Sequence, residues 1–238
     1  MRLTPDEFMV VEWGVLHLNA TIVYSWLVMA VLAGVSRLIT LRLTGDEKPS
    51  RWQNLLEVLV TGMRDQIRQV SQQDPGRYLP FIGTLFLFIA TSNVLAVVPG
   101  FVPPTGSLST TAALALCVLI AVPLYGIAEQ GLAGYLRRYL QPTFLMLPFN
   151  VLGEISRTVA MAVRLYGNVM SGTILAAILI GIIPFFFPVL MQLLGLLTGL
   201  IQAYIFAILA MVYIAAATRT GAGEPGQAGA APGPDAHP

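Results

Sequence analysis

The chain has 238 residues, of which 56% are hydrophobic and only 11% charged. Its mean hydropathy is +0.75. Ordinary soluble domains carry about 25% charged residues, so this is the composition of a polytopic membrane protein and not of a soluble enzyme. The net charge of +1 says nothing about partners; the placement of the charges does. The single lysine, Lys48 in "GDEKPS", belongs to no G-x-x-x-x-G-K motif, so neither nucleotide nor nucleic acid is expected as a ligand. Cys117 is the one cysteine and has no partner for an internal disulfide. Nothing in the residue pattern asks for a cofactor or a metal.

The start, "MRLTPDEFMVVEW", is acidic and has no small-residue cleavage site, so it reads as part of the mature protein. About 20 apolar residues cross a hydrocarbon core. Such runs occupy Leu16–Ser36, Leu79–Val98 and Ser109–Ala128, followed by a long region, Thr143–Ile183, and a last run, Val189–Thr218. The 13 basic residues divide sharply between the two ends of these runs. Arg37, Arg42, Lys48, Arg51, Arg64, Arg68 and Arg77 lie between the first and second runs, Arg137 and Arg138 after the third, and Arg219 after the last. Only Arg2 precedes the first. Lys and Arg accumulate on the cytoplasmic side, which predicts the N-terminus outside, the C-terminus inside and about five crossings. The Thr143–Ile183 region would be roughly 60 Å long as one helix, twice the hydrocarbon thickness of about 30 Å. It must tilt steeply or break.

Residues 51–73 differ from the rest. Trp52, Leu55, Leu56, Leu59, Met63, Ile67 and Val70 recur at helical spacing, opposite Gln53, Asn54, Glu57, Thr61, Arg64, Asp65 and Arg68. That pattern predicts an amphipathic helix on the cytoplasmic membrane surface. Residues 1–218 then form one integral-membrane domain. The segment 219–238, with "GAGEPGQAGAAPGPDAHP", is of low complexity and is expected to be disordered. The fold class expected is all-α and polytopic.

Two arginines interrupt the most apolar half of the chain, where a charge costs roughly 2.5 to 3.5 kcal/mol on insertion scales. Glu154, Arg157, Met161, Arg164, Asn168 and Ser171 are spaced by three and four residues and share one helical stripe. Gln192, Gly195, Gly199 and Gln202 form a second stripe with a small-x-x-x-small pair. The two stripes are expected to face each other or a shared partner. Arg157 follows Glu154 by three residues, so the two either pair or Glu154 lines an aqueous route. Arg164 has no acid within four residues and lies too far from either end of its run to snorkel. Its counter-charge is expected from another subunit. Asn168 and Gln202 are either interhelical hydrogen-bonders or channel groups, and Gln192 lies near a helix start. Glu129 is expected at the interface, beside a basic loop.

"RLYGNVMSG" followed by "IQAYIFAILAMVYIAAA" resembles subunit a of the rotary F-type ATP synthases. So do "RWQNLLEVLVTGMRDQI", "SNVLAVVPG" and "QPTFLMLPFNVLGEISR". The stretch "LTPDEFMVVEWGVLHLNATIVYSW" is more similar to the N-ATPases, a branch often linked to sodium. The resemblance implies that residues 143–218 form a hairpin of two long, strongly tilted helices against a ring of c subunits. It implies that Arg164 faces the ring's ion-binding carboxylates, with Asn168 and Gln202 matching the family's asparagine and glutamine. Many members have a carboxylate nine residues after the arginine, where this chain has Thr173, and some have a histidine at the position of Gly195. The outer route is thereby left to Asn168, Ser171, Thr173, Gln192 and Gln202. The subunit would not be catalytic alone. It would be a stator ion channel in a bacterial inner membrane, among lipid, with the c ring and peripheral-stalk b subunits as partners and the catalytic head coupled indirectly. A rival class, a secondary transporter binding its substrate at a midplane arginine, would often show two similar halves; none is visible between residues 1–120 and 121–238.

Overall fold

A computed structural model describes residues 9–13, 16–41, 51–72, 74–98, 100–140, 145–182 and 187–218. The expected disordered tail at 219–238 and the residues 183–186 lie outside the described residues. Two short antiparallel strands come first, β1 (Met9–Trp13) and β2 (Leu16–Asn19), with Trp13 opposite Leu16 and Met9 opposite Asn19. The first apolar run was expected to begin as helix at Leu16. The alternation Leu16, His17, Leu18, Asn19 has period two and suits a strand, so the helix begins four residues later.

Six helices follow. They are α1 (Ala20–Leu41), α2 (Arg51–Ser71), α3 (Leu79–Leu95), α4 (Leu108–Leu140), α5 (Met146–Ile182) and α6 (Phe187–Thr218). Four of them contain segments long and apolar enough to cross a membrane: Thr21–Leu38, Leu108–Arg137, Leu147–Leu179 and Val189–Thr218. The second expected crossing, α3, is apolar but has only 17 residues, about 25 Å of helix. The long region near residue 164 does not break: α5 is one helix of 37 residues, or roughly 55 Å. Helix α4 bends at Gly131, whose φ of 72° lies in the left-handed region that glycine alone adopts at little cost.

The helices alternate in direction. Tyr24 near the start of α1 donates its hydroxyl to the Gly100 carbonyl just after α3, and stacks edge-on against Phe101. At the same end, Gln192 near the start of α6 donates to the Ala96 and Val97 carbonyls just after α3. At the other end Gln130 of α4 donates to the Ala217 carbonyl of α6, and Arg77 before α3 forms an ion pair with Glu129 of α4. The start of α1 and the end of α6 therefore lie at opposite ends of the bundle. Arg37, Arg77 and Arg137 lie at the end where α6 finishes.

Helix α6 is the centre. It packs against α3, α4, α5 and α2. Its buried face is dominated by small residues, Ala203, Ala207, Ala210 and Ala215, each under 5% exposed, which let neighbouring backbones approach. Phe206, Met211 and Ile214 fill the gaps between them and join Ile82 and Ile89 of α3, Val118 of α4, and Met161 and Leu165 of α5. Helix α2 is amphipathic as expected and also docks on the bundle. Ile67 is buried, and Gln66 accepts a hydrogen bond from the Tyr204 hydroxyl of α6 at 3.1 Å. The side chains of Trp52, Gln53, Leu55 and Leu56 lie outside the described set.

Candidate functional site

Arg164 is the central residue of α5, eighteen residues from Met146 and eighteen from Ile182. That places it about 27 Å from either end of the helix, several times the reach of an arginine side chain. It is exposed, among Val159, Val163 and other exposed apolar residues, and has no hydrogen bond or ion pair among the described residues. The described residues therefore supply no counter-charge to this cation.

Four residues on, Asn168 donates from Nδ2 to the Thr198 carbonyl of α6 at 3.2 Å. The helices run antiparallel there, so one turn back along α5 and one turn on along α6 reach the same level. These positions are Arg164 and Gln202. Gln202 is 6% exposed and lies on α6 between the residues turned to α5 and those turned to α3. The two were expected on facing stripes, and the register brings their levels together.

The stripes themselves are less simple than the spacing suggested. Met161, counted in the first stripe, is 1% exposed and belongs to the core, whereas Arg164 faces outward. Residues three apart are roughly 60° apart around a helix, enough to place one on each side of the packing boundary. Two residues of the α6 stripe, Gln192 and Gly199, are anchored at α3 and the turn after it. Gln192 Nε2 donates to the Ala96 and Val97 carbonyls at 3.1 and 3.2 Å. Gly199 lies against Asn93, whose Nδ2 donates to the Gly199 carbonyl at 3.2 Å and to the Ile89 carbonyl at 2.9 Å. A Cβ at position 199 would stand 2.6 Å from Asn93 Cγ, whereas one at Gly195 would meet nothing within 4 Å. Of the small-x-x-x-small pair, only Gly199 makes the close approach. Sequence reasoning singled out neither Asn93 nor Tyr213 nor Thr198. Asn93 alone left a trace, as the one side-chain amide of the apolar helix α3.

Two cavities lie on either side of Arg164 along α5. The first, about 400 Å³, is lined by Glu154, Arg157 and Thr158 of α5, Tyr213 and Ala217 of α6, and Tyr135 beyond the bend of α4. It lies toward the basic end. The Arg157 guanidinium stands over the Tyr213 ring, 5.7 Å from its centroid, a cation–π contact. Glu154 and Arg157 thus share this cavity. The second, about 360 Å³, lies toward the opposite end and is lined by Asn93, Phe101, Asn168, Thr173, Gln192 and Thr198, among others. It gathers three of the five residues expected on the outer route, Asn168, Thr173 and Gln192. Ser171 is exposed, outside the lining, and donates back to the Asn168 carbonyl at 3.1 Å. Gln202 is also outside the lining. From Arg157 to Asn168 is about 16 Å along the helix, with Arg164 between. No group of three or more His, Cys, Asp or Glu side chains able to hold a metal occurs among the described residues.

A family model described as ATP synthase A chain matches residues 22–215. The chain is 61% identical over 219 residues to "ATP synthase subunit a 2" of Acaryochloris marina, covering 92% of this chain and 94% of that one. It is 61% identical over 219 residues to "ATP synthase subunit a" of Albidiferax ferrireducens, covering 92% and 95%. It is 62% identical over 220 residues to "ATP synthase subunit a 1" of Chlorobaculum parvum, covering 92% and 97%.

Proposed function

The chain belongs to the ATP synthase subunit a family, and on that premise we propose that Arg164 faces the ion-binding carboxylates of a rotating c ring while the two cavities open to opposite sides of the membrane. The family role is that of a stator ion channel, a multi-pass membrane subunit that is not itself catalytic; catalysis resides in the head of the complex. The observation that carries the finer reading is the position of Arg164, exposed at mid-helix without a counter-charge among the described residues and flanked by the two cavities.

An ion enters one cavity, neutralises a ring carboxylate and travels with the ring to the other. Beside Arg164 the carboxylate is held ionised, because an adjacent cation lowers its pKa, and the ion is released there. The same charge repels cations and closes the direct path between the cavities. Each elementary charge that crosses supplies about 2.3 kcal/mol per 100 mV, so several ions per turn drive synthesis in the distant head. Exposed Phe149, Leu175 and Ile178 of α5, on the same side of that helix as Arg164, with Leu193, Leu197 and Ile201 of α6, give the apolar surface over which the ring slides. The basic end faces the cytoplasm of a bacterial cell, with the N-terminus outside, five crossings including α3, and peripheral-stalk b subunits as further partners. The narrower assignment to the sodium-linked branch rests on the N-terminal stretch and on the lack of a carboxylate at Thr173.

The test uses the whole complex in vesicles. Arg164→Ala should abolish ATP-driven ion pumping while the complex remains assembled. Arg164→Lys should also fail, because lysine is a compact charge whose pKa shifts on burial. Near-normal pumping by either variant refutes the assignment. In the unaltered complex the sodium reading requires Na⁺ uptake that survives a proton uncoupler; full-rate acidification in sodium-free buffer makes the carrier the proton.

A further inference from the structure

Helices α3 and α4 both pack on α6 but hardly on each other. Between them runs a furrow of about 470 Å³, lined by Phe81 of α3 and by Cys117, Ile120, Leu124, Tyr125 and Ala128 of α4, with no charged side chain in the lining. Ile120 and Leu124 are more than half exposed, so the furrow opens sideways to the surroundings of the bundle. From Cys117 to Ala128 is about 16 Å along α4. One leaflet of a hydrocarbon core about 30 Å thick is roughly 15 Å deep, so the furrow is one leaflet long. A partner's transmembrane helix would need an even furrow across the full core. Here the walls change at Cys117, the residue shared with a larger groove of about 720 Å³ in which α1 joins as a third wall through Trp26, Met29 and Leu32.

The end of the furrow at Ala128 carries one charge of each sign. Glu129, the next residue, forms an ion pair with Arg77, which lies one turn before Phe81. Both side chains are partly open, Arg77 54% and Glu129 32% exposed. Just inside, Tyr125 stands against Tyr78 and Phe81, with ring centroids 5.3 and 6.2 Å apart. Tyrosines gather at the level of the membrane surface. The first turn of α3 adds the positive end of a helix dipole beside Arg77. A cation and an anion thus sit side by side above an apolar slot of one leaflet's depth, and charge complementarity selects a headgroup that also carries both signs. We propose that the furrow holds one acyl chain of a phospholipid from the leaflet at the basic end, with its phosphate on Arg77 and a primary ammonium on Glu129, the chemistry of a phosphatidylethanolamine. The guanidinium has five N–H donors and can hold a phosphate oxygen beside the carboxylate. A primary ammonium brings N–H donors to Glu129 that a trimethylated headgroup lacks. An anionic lipid without an ammonium sets its charge beside that carboxylate uncompensated. The site is independent of the role read for Arg164.

The experiment places the whole complex in phosphatidylcholine vesicles with a trace of phosphatidylethanolamine that carries a photoreactive diazirine on one acyl chain. Mass spectrometry reads the cross-linked residues. Cross-links are expected on Phe81 and within Cys117–Ala128. Unlabelled phosphatidylethanolamine should displace them at a mole fraction about three- to fivefold lower than phosphatidylglycerol, the scale of one partly exposed ion pair. Glu129→Gln should erase that preference while cross-linking persists. Because it also loosens the pair with Arg77, Glu129→Asp is read beside it and should keep the preference. Ala128→Trp fills the mouth from an exposed position; it should lower labelling of the furrow severalfold and leave that of exposed Val35 and Leu38 on α1 unchanged. Labelling spread evenly over the exposed apolar faces, or displaced equally by both lipids, would mean ordinary lipid contact and would overturn the proposal. Absence of labelling in the furrow while α1 is labelled would mean that a partner's transmembrane helix covers it, and would overturn it as well.

Discussion

Replacing Gly199 by alanine adds one methyl group at the most crowded glycine of α6. The new Cβ would stand 2.6 Å from Asn93 Cγ, 2.7 Å from its Oδ1 and 3.0 Å from its Cβ. Real Cβ atoms do not approach so closely, and Asn93 has little freedom to yield, being pinned by two carbonyls. Either α3 and α6 separate or the amide leaves its partners. Overpacking of this kind costs typically 1–3 kcal/mol, and losing a hydrogen bond adds about 1 kcal/mol. Alanine's better helix propensity returns up to about 1 kcal/mol. The net expectation is a destabilisation of roughly 1–4 kcal/mol, read as a lower temperature of thermal inactivation for the assembled complex. Gly195→Ala is the control. Nothing lies within 4 Å of its added Cβ, so only the propensity gain remains and stability should hold or rise slightly. Asn93→Ala removes the two closest obstructing atoms, Cγ and Oδ1, so the double variant should lose less than the sum of the singles. Equal stability of Gly199→Ala and the unaltered chain, or strict additivity with Asn93→Ala, would refute the close-approach argument.

Gly131→Ala meets no neighbouring atom and acts through the backbone alone. At φ 72° an L-residue costs roughly 1–2 kcal/mol, so the complex should inactivate at a lower temperature while Gly134→Ala, within the helical segment after the bend, should not reproduce that backbone effect. Single cysteines replacing Gly45 and Gly221 in a Cys117→Ala background should react with membrane-impermeant reagents only from the cytoplasmic side; labelling of position 221 from outside would refute an odd number of crossings. Tyr204→Phe removes the bond to Gln66, a half-exposed pair, so loss of assembled complex should be slight and comparable to that of Gln66→Ala.

How much was legible in the residues follows from the range of each interaction. Helix existence was written locally, by runs of apolar residues long enough to span and by the amphipathic spacing of α2. Boundaries were less so: Leu16–Asn19 satisfies an apolar count and a strand alternation at once, and pairing with Met9–Trp13 settles it as strand. Arg164 stood out in the residues because the cost of a cation in an apolar run is set by the run itself. The partners of the α6 stripe were not. Spacing by three and four fixes which residues share a face, but the choice between α3 and α5 as the neighbour depends on a contact between residues 106 positions apart, Asn93 with Gly199.

The same limit explains why the candidate outer route was read as a set of neutral groups without a sense of direction. Asparagine, glutamine and threonine each carry donor and acceptor in the sequence, so their identity leaves the polarity of a cavity undetermined. It is settled by which atoms the backbone consumes. In α5 and α6 the hydroxyls of Thr173 and Thr198 fall back on carbonyls one turn earlier, as hydroxyls in apolar helices do when no better acceptor is near. Asn93 and Gln192 reach carbonyls of a second helix as well as, or instead of, their own. An apolar surrounding makes an unspent donor costly, so most of these donors, all but one amide hydrogen of Asn168, are spent on the backbone. Burial in lipid thereby converts ambivalent side chains into a one-sided surface. The cavity on the side of Arg164 away from the basic end is thus lined without a charged side chain, while Glu154 and Arg157 line the other cavity.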